Sequence, residues 1–63
     1  MTKIYVDVED SSQKYCDVWE ELILEGVPLF SINGSIQTED LDTHDLQITR
    51  KILDDNGVVY TEY

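Results

Sequence analysis

The sequence predicts an α+β sandwich in which a four-stranded antiparallel sheet carries two helices on one face. Three observations lead to it. Two amphipathic stretches with recognisable start and stop signals alternate with short alternating stretches of strand character, and the dipeptide Asn33-Gly34 separates two of the strands. The two halves of the chain also share a pattern. Residues 3–32 and 35–63 each run strand, helix, Gly-Val, strand, with Leu22-x-x-x-Gly26-Val27 answered by Leu53-x-x-x-Gly57-Val58. Duplicated split βαβ units are the signature of the ferredoxin-like βαββαβ topology. With 63 residues the chain is one domain, because a chain of about 60 residues buries only roughly 60% of its unfolded surface and has room for one layer of each kind.

The first strand is read over Lys3 to Val8, where Ile4, Val6 and Val8 alternate with Lys3, Tyr5 and Asp7, as a half-buried strand requires. Asp10, Ser11 and Ser12 are N-cap candidates for the first helix, with Gln13 three residues after Asp10 as a capping-box partner. Tyr15, Val18, Trp19, Leu22 and Ile23 follow at helical spacing, with Trp19 and Leu22 in the middle of the stripe, and Gly26 ends it. Val27 to Ile32 is the second strand. Asn33-Gly34 favours a two-residue type I′ turn into a third strand, Ser35 to Thr38. The second helix opens within Glu39 to Thr43, carries Leu41, Leu46, Ile48, Ile52 and Leu53, and stops at Asn56-Gly57, after which Val58 to Tyr63 forms the last strand.

Charge separates this chain from an ordinary small domain. It holds 14 Asp and Glu against 4 Lys and Arg, a formal net charge of -10, where solubility needs a magnitude of only about 2 to 8. Hydrophobic residues at 41%, including Trp19, Phe30 and four tyrosines, are too many for a disordered acidic tail. The lone cysteine, Cys16, excludes an internal disulfide framework, fits a reducing compartment and reads as a buried or half-buried structural residue. The start of the chain shows no apolar signal region and no stretch reaches 18 apolar residues, which leads to an expected cytoplasmic location.

The acids are placed against local helix rules. Asp17, Glu21 and Glu25 lie at i, i+4 and i+8, in one row about 6 Å apart at 1.5 Å rise per residue, and each such like-charge pair costs roughly 0.2 to 0.5 kcal/mol. Glu20 adds to the same helix. Glu25, Asp54 and Asp55 fall in the last turns of their helices, where the macrodipole disfavours anions. Local rules broken without local compensation tend to mark functional surface.

Lys3-Ile4-Tyr5, Tyr15-Cys16 near a helix start, Glu21-Leu22 and Gly26-Val27-Pro28 resemble the opening of a glutaredoxin, over about half the chain. The resemblance implies that Cys16 matches the second cysteine of the Cys-Pro-Tyr-Cys motif and that Gln13 stands where the nucleophilic first cysteine belongs. A dithiol mechanism is thereby excluded, and a monothiol one would need Cys16 itself to be reactive, with Lys14 but also Asp17 beside it. Asp40-Leu41-Asp42-Thr43-His44-Asp45 alternates carboxylates, yet an EF-hand loop needs Gly sixth and Glu twelfth, and those positions hold Asp45 and Lys51. Helix capping accounts for the segment better than a metal. His44 has no nucleophile placed beside it by any pattern, and no glycine-rich phosphate loop is present, so no enzyme activity, cofactor or metal is expected.

The partner of such a surface is positive. Direct nucleic-acid binding is excluded by the sign of the field, and so is an anionic membrane. A basic protein surface remains, above all the groove of a nucleic-acid-binding protein, where carboxylates can take the places of phosphates. The expected function is that of a small acidic inhibitor of the phage-encoded type directed at restriction, CRISPR, repair or transcription machinery. A non-inhibitory assembly or regulatory subunit and a degenerate glutaredoxin-like redox protein are the alternatives. The partner-binding residues expected are Asp17, Glu20, Glu21, Glu25, Asp54 and Asp55, with Tyr5, Phe30 and Tyr60 as aromatic anchors on an uncovered sheet face. Such a face could equally meet a second copy of the chain.

Overall fold

The fold was analysed in a computed structural model, which describes residues 2–8 and 12–63. The elements run β1 (Ile4–Asp7), α1 (Gln13–Leu24), β2 (Leu29–Ile32), β3 (Ser35–Thr38), α2 (Thr43–Asn56) and β4 (Val59–Glu62). All pairings are antiparallel and the strand order is β2-β3-β1-β4. This is the ferredoxin-like βαββαβ arrangement, with both halves of the chain interleaved in one sheet.

Alternation along β1 decides which face is buried. Ile4 and Val6 are fully buried whereas Tyr5 and Asp7 are exposed, so the helices pack on the Ile4 side. There Ile4, Val6 and Ile36 from the sheet meet Val18 and Leu22 of α1 and Leu53 of α2, with Val27 and Leu41 completing the core. Trp19 is half-buried at the margin and stacks on Tyr15 with ring centroids 6.4 Å apart. The middle of the stripe is therefore Val18 and Leu22, and the expectation that Trp19 lies there is corrected. Its neighbour Ile23 is 48% exposed, because the stripe that meets the sheet is narrower than the apolar sequence pattern.

The duplicated motif is a shared helix stop. Gly26 and Gly57 both take left-handed backbone angles, with φ of 78° and 68°. Val27 donates to the Leu22 carbonyl (3.1 Å) and Val58 to the Leu53 carbonyl (3.3 Å), the six-to-one bond of the Schellman motif. In each case the valine past the glycine folds back toward the leucine whose carbonyl it caps. At the hairpin, Asn33 and Gly34 have φ of 51° and 82°, which is the type I′ geometry the dipeptide favours.

Boundaries differ where side chains rather than periodicity decide. Ser12 caps α1 by accepting from the Tyr15 amide (3.1 Å); the other two cap candidates, Asp10 and Ser11, lie outside the described residues. Asp42 caps α2 by accepting from the Asp45 amide (2.8 Å), so the helix begins at Thr43 and Leu41 precedes it. Leu41 is buried in the core, and its amide bonds the Thr2 carbonyl (2.8 Å) across an isolated antiparallel bridge. Tyr5 pairs with Gln37 but Thr2 with Leu41, a slip of one residue that marks a bulge after β3. At that slip the buried Ile4 amide donates to the Thr38 hydroxyl (2.9 Å) in place of a ladder carbonyl.

Two buried threonines thus have opposite standing. Thr38 satisfies a buried amide, while the hydroxyl of Thr49, fully buried on α2, has no hydrogen-bond partner. Replacing Thr38 by Val should cost about 1 to 3 kcal/mol, the penalty for an orphaned buried donor. Replacing Thr49 by Val should stabilise by on the order of 1 kcal/mol, since a desolvated hydroxyl becomes a methyl group. Urea melts of the two variants test the pair, and equal effects of one sign would contradict the bulge assignment. In the core, Leu22→Ala should cost about 2 to 5 kcal/mol. The half-buried Trp19 should lose less on truncation than the roughly 3 to 5 kcal/mol typical of a fully buried tryptophan, as read in the same melts.

Candidate functional site

Helix α1 is positioned by Val18 and Leu22, and the phase they set turns the acids outward. Glu20, Glu21 and Glu25 are exposed and Asp17 is half-buried. Asp17, Glu20 and Glu21 border one shallow depression with Leu24. On the other side of Glu21, a groove of about 310 Å³ runs between the helices, lined by Glu21, Leu24, Glu25, Ile48, Lys51, Ile52 and Asp55. Its floor is aliphatic and its rim mainly acidic. The two helix ends thus bring Glu21 and Glu25 to the same groove as Asp55, which sequence distance alone does not foretell.

The row is held by neutral amides more than by cations. The Gln13 amide donates to Asp17 Oδ1 (3.0 Å) and the Asn56 amide donates to Glu21 Oε2 (2.6 Å) while also bonding the Ile52 carbonyl (2.8 Å). Asn56 therefore ties the end of α2 to α1. Among the described residues the ion pairs are Arg50–Glu62, bidentate at 2.6 and 2.7 Å, and Lys51–Asp55 at 3.4 Å. Lys51 reaches the groove from α2, a neighbour of the acidic row that a search along α1 misses. The remaining described carboxylates have no basic partner.

Asp54 does not join that groove. It accepts a hydrogen bond from the Tyr60 hydroxyl (3.2 Å). Tyr60 pairs with Val6 across β1 and β4, so it shares the face that the helices cover. The expectation of Tyr60 on the uncovered face is corrected: with a period of two, the residue opposite a core valine must point to the core side. Partial burial and the Asp54 bond raise the Tyr60 phenol above its usual range. The bidentate Arg50 holds the Glu62 carboxyl below its usual range.

Tyr5 and Phe30 do lie on the open face. Tyr5 is opposite Gln37, which is opposite Phe30, and the same face carries Ile32, Ser35, Val59, Thr61 and, through its pairing with Lys3, Tyr63. Tyr63 was not among the expected anchors, although its place two and four residues after Thr61 and Val59 gives its face by alternation. The Tyr5 hydroxyl bonds Ser35 Oγ (3.0 Å) and the Tyr63 hydroxyl donates to Gln37 (3.2 Å), so both rings lie across the sheet. The expected partner-binding set therefore divides between opposite sides of a body only 18 Å across at its thinnest.

Cys16 is exposed, correcting the expectation of a buried structural cysteine, because it falls one position past Tyr15 and off the apolar stripe. It borders a shallow depression with Trp19, Glu20 and Ser31, where the Tyr15 hydroxyl bonds Ser31 (2.7 Å). Gln13, at the position that the glutaredoxin resemblance gives to a nucleophile, is occupied with Asp17. Asp42 spends its carboxylate on the α2 cap. Among the described residues no group of three His, Cys, Asp or Glu is placed to hold a metal ion, and no helix is long and apolar enough to cross a membrane. Comparison with protein-family models, curated proteins and solved structures finds no match to the chain.

The electrostatics yield two expected outcomes. Replacing Asp17, Glu21 and Glu25 by their amides keeps the acceptor oxygens that Gln13 and Asn56 use and removes like-charge repulsion. The fold should persist and gain about 0.2 to 0.5 kcal/mol per relieved pair, seen as a higher Tm at low salt. Glu62 has a depressed carboxyl, so its contribution is complete above about 4.5, its ordinary value, and fades as pH falls through the lowered one. The Tm difference between the parent and Arg50→Gln should therefore shrink in acid; a constant difference would show that the pair contributes nothing through charge.

Proposed function

We propose that this chain is a small acidic protein-binding inhibitor that acts in the cytoplasm. It presents carboxylates where nucleic-acid phosphates would lie and so occupies the basic site of a nucleic-acid-binding protein of restriction, CRISPR, repair or transcription machinery. The observation that carries this reading is the outward face of α1 and its groove with α2. Asp17, Glu20, Glu21 and Glu25 stand there with no cationic partner, and Lys51, the basic residue beside them, is already engaged by Asp55. A solvated helix face ordinarily interleaves both signs. Leaving this row uncompensated costs stability, and a basic partner would return it as long-range attraction and fast association.

The aliphatic floor of the groove adds what charge alone lacks. Leu24, 76% exposed between Glu21 and Glu25, with Ile48 and Ile52 gives a partner some apolar surface to bury inside an acidic rim, the usual anatomy of a specific contact. Inhibition by mimicry requires that the partner's nucleic acid and this chain exclude each other. A non-inhibitory assembly or regulatory subunit is the second reading, favoured by the aromatic open face of the sheet, which mimicry does not use.

Affinity capture with the parent chain and with Asp17→Asn/Glu20→Gln/Glu21→Gln/Glu25→Gln tests the first reading. Retained proteins should be nucleic-acid-binding, should be released by salt or by excess DNA or RNA, and should be lost from the amide variant. Retention that ignores nucleic acid would move the weight to a subunit role. Retention that also ignores the amide substitutions would remove the acidic face from the interaction.

A further inference from the structure

We propose that the open face of the sheet is a homodimer interface, covered by the same face of a second copy of the chain. The first ground is charge segregation. In a chain of net charge -10, the described residues of the paired strands put one cation and one anion on this face, Lys3 and Asp7, with Glu39 one step beyond β3 at the rim. Nearly all the other described acids lie on the helices and their connections instead. Tyr5, Phe30, Ile32, Val59 and Tyr63 occupy the face, and Ile32, Val59 and Tyr63 are 47%, 67% and 60% exposed. A copy of so acidic a protein can approach closely only where the charge is absent, and this is that place.

The second ground is that both tyrosine hydroxyls of the face are already paired within it. Tyr5 is bonded to Ser35 and Tyr63 to Gln37, so both rings lie fixed on the sheet. Covering the two rings with an apolar surface strands neither tyrosine hydroxyl and immobilises little of either ring that is free, two of the principal costs of association. A polar partner such as a nucleic acid would find these donors in use.

The third ground is self-complementarity. Lys3 and Asp7 stand on the same strand about 13 Å apart, too far to pair with each other. A two-fold axis between the faces and perpendicular to the strands lays β1 antiparallel over its copy, with Tyr5 on Tyr5 and Lys3 of each chain over Asp7 of the other. Both ion pairs then form at once, as an isologous contact requires. Four strands at about 4.8 Å spacing bury on the order of 1,000 Å² in total, the low end for a specific interface, which makes the dimer reversible and concentration-dependent.

Sedimentation equilibrium of the purified chain over a range of concentrations, at low and at high salt, tests the assignment independently of any other partner. The mass should rise to twice that of the chain, and the dimer should tighten with added salt, because salt screens the repulsion between two strongly acidic bodies. Ile32→Lys/Val59→Lys changes exposed positions only; it should leave the chain monomeric, with circular dichroism and Tm unaltered at concentrations where the parent is itself monomeric. Lys3→Asp and Asp7→Lys should each weaken the dimer about tenfold or more, and the exchanged pair Lys3→Asp/Asp7→Lys should recover most of the loss. A chain monomeric at every concentration and salt overturns the proposal. So does a dimer indifferent to the Lys3 and Asp7 changes, the result expected of pairing through the β2 or β4 edge.

Discussion

Everything in this molecule depends on a core that is sealed from one side only. Ile4, Val6 and Ile36 are closed off by Val18, Leu22 and Leu53, and burying each such side chain contributes about 1.5 to 3 kcal/mol. Among the described residues no second layer stands behind the sheet. The same alternation that sends Ile4 and Val6 inward sends Tyr5 and Asp7 outward, so the chain cannot build its core without also building an uncovered face. The charged exterior then rests on a thin foundation, since self-repulsion of the compact state opposes a core of few residues. The shared Schellman stops and the side-chain caps at Ser12 and Asp42 matter for that reason. They satisfy backbone groups at the ends of both helices with local bonds and do not draw on the core.

Much of the architecture was legible because its signals are local. Asn33-Gly34, the Gly26 and Gly57 stops and the strict alternation of residues 3 to 8 each fix a conformation within a few residues, and the strand order follows once the halves are recognised as split βαβ units. What was not legible depends on contacts between distant segments. The α2 start could not be read from periodicity because Leu41 continues the apolar pattern although it precedes the helix and pairs with Thr2. Likewise the sequence marks Thr38 only as the last residue of the third strand, yet the bulge turns its hydroxyl into the acceptor for Ile4. Tyr60 was misplaced because the face of β4 is set by its register with β1, and Cys16 because one helical position separates an exposed residue from the half-buried Tyr15.

The acidic surface was legible as a row but not as a groove. Spacing of four residues places Asp17, Glu21 and Glu25 in line whatever the rest of the chain does. Only the packing of α2 beside α1 adds Asp55, the aliphatic floor and Lys51. The packing also supplies the restraint the row lacks in sequence, since Asn56 grips Glu21 from the other helix. A neutral donor can hold a carboxylate in place while leaving its charge in the field. That is the arrangement suited to a surface that must stay negative and yet be ordered.

The acids of the α1–α2 groove and the open-face aromatics Tyr5, Phe30 and Tyr63 occupy opposite sides of the sheet. A flat partner that meets the α1–α2 groove does not reach Tyr5 or Phe30, and a body seated on the sheet leaves the groove open. In the two proposed roles the surfaces would answer to salt in opposite directions. Attraction between the acidic helices and a basic protein weakens as ions screen it, whereas two copies of the chain approach each other more easily once their mutual repulsion is screened. Such opposite responses would follow from where the described charges lie: concentrated over the helices, sparse on the open face of the sheet. Should both contacts form, the helices of each copy face away from the shared sheet interface. One assembly then presents two acidic faces, and a basic partner with two sites in register would hold it more tightly through effective concentration than either face alone provides.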